Sequence, residues 1–113
     1  MSNEIIDLTK DNFDYFVTSS PKLWLVKFYA PWCPYCTNFT SDYEKIAQMI
    51  TGVASIGRVN GDQNMPLMQK YGLKGYPSLL IFHKDKNSPI SYDGPRTVED
   101  VVKKVIDVVK TIK

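Results

Sequence analysis

The stretch Leu25-Val26-Lys27-Phe28-Tyr29-Ala30-Pro31-Trp32-Cys33-Pro34-Tyr35-Cys36 holds two structural signals back to back. Its first half ends the run 23–29 (LWLVKFY), which is aromatic, β-branched and interrupted only by Lys27. A central strand covered on both faces has this pattern. Its second half opens a helix, because Pro34 fits the first helical position, where no backbone N–H is needed. Cys33 then falls at or beside the N-cap. Its sulfur faces unpaired N–H groups and the positive end of the helix dipole, which favours thiolate. Cys36 lies one turn inside on the same side, placed to attack a mixed disulfide at Cys33 and release the partner. On this placement Cys33 is expected to be more exposed and more acidic than Cys36.

Strand and helix signals alternate outward from this junction. Residues 4–8 read as a short strand, and 11–18 as a short helix that Thr9 can cap, with Phe13, Phe16 and Val17 on one side. The main helix is expected over 34–50. Phe39, Tyr43, Ile46, Ala47 and Ile50 form its buried stripe, and Gly52 stops it. Strand 53–59 ends at Asn60-Gly61-Asp62. A short helix follows over 66–71 with Gly72 behind it. Residues 78–83 and 90–92 read as strands joined by a polar turn. The last helix, 97–112, starts with the capping pattern Thr97 to Asp100 and buries Val98, Val101, Val102, Val105, Val109 and Ile112. The order β-α-β-α-β-α-β-β-α implies parallel pairing in the first half and an antiparallel hairpin in the second.

With 113 residues the chain reads as one domain, 1–113. Hydrophobic residues at 43% and charged residues at 23% are those of a globular chain, not of a disordered tract or a disulfide scaffold. No apolar run approaches a membrane span. A net charge of +2, scattered along the sequence, suggests neither nucleic acid nor an anionic membrane as partner. The first residues lack the basic and apolar regions of a signal peptide, and the end is not a retention tetrapeptide. The chain is therefore either cytosolic or a domain cut from a longer secreted protein. Asn38-Phe39-Thr40 has the form of a glycosylation sequon but falls within the main helix.

The two cysteines close too small a loop to staple a fold, which leaves chemistry as their expected role. Two other readings stay open: inert core thiols, or half of a zinc site. The second needs two more ligands in a chain whose only histidine is His83, or a second chain to share the metal. No resident metal or cofactor is expected beyond a Cys33–Cys36 disulfide. A second signal is Gly75-Tyr76-Pro77-Ser78, at the mouth of a strand. Proline does not sit inside a paired strand, and Tyr76-Pro77 suits a cis bond in a tight turn.

Together these motifs resemble the thioredoxin fold. Phe28-Tyr29-Ala30-Pro31-Trp32-Cys33 is most similar to catalytic domains of the protein disulfide isomerase family. Gly75-Tyr76-Pro77-Ser78 resembles that family's cis-proline loop, and Tyr92-Asp93-Gly94-Pro95-Arg96 its segment before the last helix. The resemblance runs from residue 4 to 112. It implies an α/β, thioredoxin-like fold with a central mixed β-sheet flanked by helices. It also implies thiol–disulfide oxidoreductase activity on cysteine-containing proteins, with a thiol redox partner, as a monomeric domain of the endoplasmic reticulum lumen; the cytoplasm is the alternative. By position, Cys33 is the nucleophile and Cys36 the resolving thiol. Trp32, Pro34, Tyr35, Tyr76 and Pro77 face the substrate, with the Tyr76 backbone pairing to an extended chain. Arg96 is the arginine expected to swing toward Cys36, unless it is a solvated residue capping a turn. A thioredoxin- or glutaredoxin-like reductase, or a non-catalytic binding module, are the competing functions.

Three departures matter. Pro34-Tyr35 replaces the isomerase's Gly-His and is instead glutaredoxin-like; Tyr35 supplies no positive charge near neutrality, which argues against strong oxidising power. Ser41 stands where the family often has a helix-kinking proline. Lys27 stands where it usually has a buried acid. Either the Lys27 stem snorkels to the sheet edge, or its ammonium acts on Cys36, lowering the thiol's pKa and partly replacing the missing histidine.

Overall fold

The computed structural model describes residues 3–111. Five strands among them, β1 (Ile5–Leu8), β2 (Trp24–Tyr29), β3 (Ser55–Asn60), β4 (Ser78–Phe82) and β5 (Ile90–Tyr92), form one sheet in the order β1-β3-β2-β4-β5. The β1/β3 and β3/β2 pairs are parallel, and β2/β4 and β4/β5 antiparallel, as the order of signals implies. Helix α1 (Pro34–Met49) crosses from β2 to β3, α2 (Met65–Lys70) lies between β3 and β4, and α3 (Val98–Thr111) follows β5.

Alternation along β2 builds two cores. Leu23 and Leu25 point to the face covered by α1 and α3, where they pack with Tyr43, Ile46, Ile50, Ile56 and Val105. Trp24, Val26 and Phe28 point the other way, onto Phe13, Met68 and Phe82. Burying each such side chain contributes roughly 1.5–3 kcal/mol. The α1 stripe is buried as its spacing predicts. In α3 the buried set is Val101, Val102, Val105 and Val108, with Val109 only partly covered. Val101, Val105 and Val108 stack at i, i+4 and i+7, a closer fit to 3.6 residues per turn. Ile112 lies outside the described residues.

Some element boundaries differ from the pattern-based expectation. Helix over 11–18 shrinks to one wide turn, Asp14–Thr18. Asn12 accepts the Thr9 N–H at 2.7 Å and donates to the Asp7 carbonyl at 3.2 Å, local bonds that compete with helix. The third strand starts at Ser55 rather than Val53, because the Val53 and Ala54 N–H groups donate to the Ile50 carbonyl and finish the end of α1. Gly52 there adopts φ +80°, a left-handed conformation that side chains resist.

The sheet order places the dithiol. Tyr29 ends β2 beside Asn60, the end of parallel β3, while Phe28 pairs with Ser78, the start of antiparallel β4. The Trp32–Cys36 turn, the Gly61–Gln63 turn and the Tyr76-Pro77 loop therefore converge at one end of the sheet's inner strands.

Candidate active site

Cys33 is the N-cap of α1 with Pro34 at the first turn. Its sulfur accepts the Cys36 N–H at 3.2 Å, so a soft acceptor fills the usual place of a capping oxygen. Both cysteines are free thiols, and both are only 3% exposed. The expectation that Cys33 is the more exposed is thus overturned. Ala30, with Tyr29 and Tyr76 beside it, packs around both sulfurs, and position at the helix mouth does not by itself open Cys33 to solvent. Burial, reinforced by the hydrogen bond with Cys33, pushes the Cys36 thiol up to about 11.

The residues expected to face a substrate gather around the pair. Trp32 and Tyr35 are 68% and 70% exposed, apolar surface on either side of Cys33 and Pro34. The Tyr76-Pro77 peptide is cis. Asp62, which sequence reasoning passed over as part of a strand-ending turn, ties this surface together. One carboxylate oxygen accepts the Trp32 indole N–H at 2.6 Å, and the other accepts the Tyr76 hydroxyl at 3.1 Å. The Trp32 and Tyr76 rings meet edge to face at 5.7 Å. Gly61 makes the cluster possible: a Cβ there would lie 2.5 Å from the Tyr76 ring and hydroxyl. Nothing local in Asn60-Gly61-Asp62 announces this role, which depends on β3 lying beside β2.

Lys27 is 3% exposed and does not snorkel to a sheet edge, because β2 is the central strand. Its ammonium lies over the rings of Tyr43, Tyr29 and Phe39, at 4.7, 5.4 and 5.9 Å from their centroids, within cation–π range. Burial, and then the neighbouring Arg58 charge, lower its pKa. Lys27 and Cys36 line one cavity of about 240 Å³ with Tyr29, Ala30, Pro31, Thr37, Thr40 and Arg58. The Lys27 charge does pull the Cys36 pKa down, as its sign requires, but burial outweighs it and the thiol is raised.

Arg96 is placed elsewhere. It donates to the Pro77 carbonyl at 3.3 Å and lines a separate cavity with Ser78, Tyr92 and Asp93. It braces the proline loop and is not among the residues around Cys36. His83 meets the Ser88 carbonyl at 3.1 Å, away from the dithiol. Among the described residues no group of three His, Cys, Asp or Glu side chains is placed to hold a metal.

A dithiol at the N-terminus of the helix after a central strand, facing a cis-proline loop, defines a class of redox domain. Residues 4–107 match the Thioredoxin family model, and the chain belongs to that family. Within it the chain stands with thioredoxin domains of protein disulfide isomerases. It is 43% identical to mouse (Mus musculus) protein disulfide-isomerase A6 over 101 residues, 89% of this chain and 23% of that protein. It is 37% identical to the Drosophila melanogaster A6 homolog over 109 residues, 96% of this chain and 25% of the relative. Among solved structures, the Trx4 domain of ERdj5 superposes with a TM-score of 0.84 at 31% identity, covering 97% of this chain and 99% of that one. The first thioredoxin domain of mouse protein disulfide-isomerase A4 gives 0.81 at 35%, covering 95% and 78%. The chain spans about a quarter of the length of the curated relatives it matches.

Proposed function

We propose that this chain catalyses thiol–disulfide exchange on cysteine-containing proteins, as a redox domain of a disulfide isomerase. The observation that carries the proposal is Cys33 at the N-cap of α1, its sulfur bonded to the Cys36 N–H and flanked by exposed Trp32 and Tyr35.

In the reducing direction the Cys33 thiolate attacks one sulfur of a substrate disulfide. The substrate S–S bond breaks, its other sulfur leaves as thiolate and takes a proton, and a mixed disulfide remains. Cys36 then loses its proton and attacks the Cys33 sulfur. The Cys33–Cys36 bond forms, the second substrate thiol departs, and two electrons have passed to the substrate. The reverse sequence oxidises a substrate dithiol. Burial continues to favour the Cys36 thiol over its thiolate once Cys33 is in the mixed disulfide, and this slows self-resolution. The mixed disulfide then persists long enough for another substrate thiol to attack it, the requirement for isomerisation rather than net reduction.

Trp32, Tyr35 and the Tyr76-Pro77 loop form the substrate surface in this scheme, and Lys27 acts electrostatically on Cys36. Arg96, bonded to Pro77 here, requires a rearrangement before it can act on Cys36. The Cys33–Cys36 pair serves as the only redox group. The compartment that fits the relatives is the endoplasmic reticulum lumen, with a thiol redox partner there. The test is Cys36→Ser mixed with a scrambled-disulfide protein. A mixed disulfide through Cys33 should accumulate, dissolve with reductant and fail to form with Cys33→Ser. Retention of the protein substrate by a Cys33→Ser/Cys36→Ser double variant, with no covalent adduct in the single variant, would indicate a binding module instead.

A further inference from the structure

The cavity behind Cys36 has a charge arrangement that disulfide exchange does not explain. Lys27 on β2 and Arg58 on β3 are register partners, so two cations face each other across adjacent strands on the same side of the sheet. Like charges placed so are destabilising unless something lies between or beside them. Arg58 is only partly compensated. Its Nε donates to Asp7, its register partner on β1, at 2.6 Å, and its terminal nitrogens make no hydrogen bond to a described residue. Lys27 makes neither an ion pair nor a hydrogen bond with any described residue and has only the three ring faces. Those faces offer its N–H groups no oxygen acceptor, so the ammonium, which is not itself a buried unsatisfied group, depends on the solvent-open cavity for its hydrogen bonds. Glu44 lies close enough to favour both charges but outside ion-pair range.

The remaining wall offers no intrinsic counter-ion. The Thr37 and Thr40 hydroxyls donate to the Cys33 and Cys36 carbonyls at 3.3 and 3.2 Å. Cys36 is a neutral thiol at neutral pH. The space, about 240 Å³ and open to solvent, admits a small anion with its waters.

We propose that the cavity lined by Lys27, Arg58 and Cys36 is a binding site for a small oxyanion of the sulfate or phosphate kind. The Lys27 ammonium supplies donors from within the sheet and the Arg58 terminal nitrogens supply them from the rim. Planar, forked donors suit tetrahedral oxyanions better than a spherical halide. Under the exchange function proposed above, the site is also regulatory. A bound anion and the Cys36 thiolate compete for the same positive field, so each weakens the other by the same factor. Occupancy then lengthens the life of mixed disulfides.

Binding is tested apart from redox activity, in the Cys33→Ser/Cys36→Ser protein. Sodium sulfate is titrated against a chloride background of equal ionic strength, with backbone amide NMR shifts recorded. Saturable shifts confined to residues around 27, 37, 40 and 58 are expected. Lys27→Met, which keeps the buried stem volume, should weaken the apparent affinity at least tenfold, and Arg58→Met about threefold or more. Lys45→Met, on the exposed side of α1, should leave it unchanged. Shifts that do not saturate, or that survive Lys27→Met and Arg58→Met in proteins whose spectra show the native fold, overturn the proposal.

Discussion

Gly61→Ala tests whether the Trp32–Asp62–Tyr76 surface beside the dithiol is built on the absence of one side chain. The new Cβ would lie 2.5 Å from both the Cε1 and the hydroxyl of Tyr76 and 2.9 Å from the carbon between them. Ordinary contact requires roughly another 1 Å, so the ring tip must swing aside. Two contacts then suffer. One is the Tyr76 hydroxyl bond to Asp62 at 3.1 Å, which contributes about 1 kcal/mol at this partly exposed position. The other is the edge-to-face contact with Trp32 at 5.7 Å, worth about 0.5–1.5 kcal/mol. Gly61→Ala should therefore cost about 1–2 kcal/mol in urea unfolding, a midpoint shift of roughly 1 M. Trp32 fluorescence should change, and exchange activity should fall severalfold because Trp32 and Tyr76 flank the dithiol. A double-mutant cycle isolates the cause. With Tyr76→Ala the ring is gone, and adding Gly61→Ala should change stability by less than about 0.5 kcal/mol. If the two changes are additive, with a coupling below about 0.5 kcal/mol, Gly61 is not there to make room for Tyr76 and the account of the cluster is wrong.

Alkylation of Cys36 in the reduced protein, followed by peptide mass spectrometry, should rise about tenfold per pH unit and level off only near its pKa of about 11. Lys27→Met should move that midpoint upward, and a plateau at or below pH 9 would contradict the burial argument. The same shift is a stability effect. The folded pKa of about 11 exceeds the ordinary 9.0, so protonated Cys36 supports folding below about pH 9, and that support is lost as pH rises through about 11. Cys36→Ser should flatten this part of the stability–pH curve relative to the parent, while Tyr43 contributes equally to both. Tyr43→Phe removes a hydroxyl that donates its one hydrogen to the Gly57 carbonyl at 2.6 Å, with the Leu25 carbonyl 3.3 Å away, and should cost about 1–2 kcal/mol in chemical denaturation.

The parts of this protein legible in its sequence are those governed by short-range rules. Pro34 and Cys33 mark the start of α1 because capping and proline geometry act within one turn, and the structure has that start at those residues. The α1 stripe follows from the 3.6-residue period, and the buried character of β2 from its nearly unbroken apolar run. The Tyr76-Pro77 bond is cis where Gly, aromatic and strand-entry signals adjoin. The parallel and antiparallel halves follow from the lengths and types of the connections.

Tertiary structure decided whatever depends on which strand lies beside which. Lys27 in an aromatic cage rather than at an edge reflects the central place of β2 and the passage of α1 over that face. Its pairing with Arg58, 31 positions on, is a matter of register that no local pattern encodes. Asp62 reaches Trp32 and Tyr76 only because β3 ends beside β2 and the start of β4 lies across from it. The equal burial of Cys33 and Cys36 follows from the same convergence. A helix mouth is open in isolation, but here Ala30, Tyr29 and Tyr76 close around it, and long-range packing, not position on the helix, sets how much water each sulfur meets.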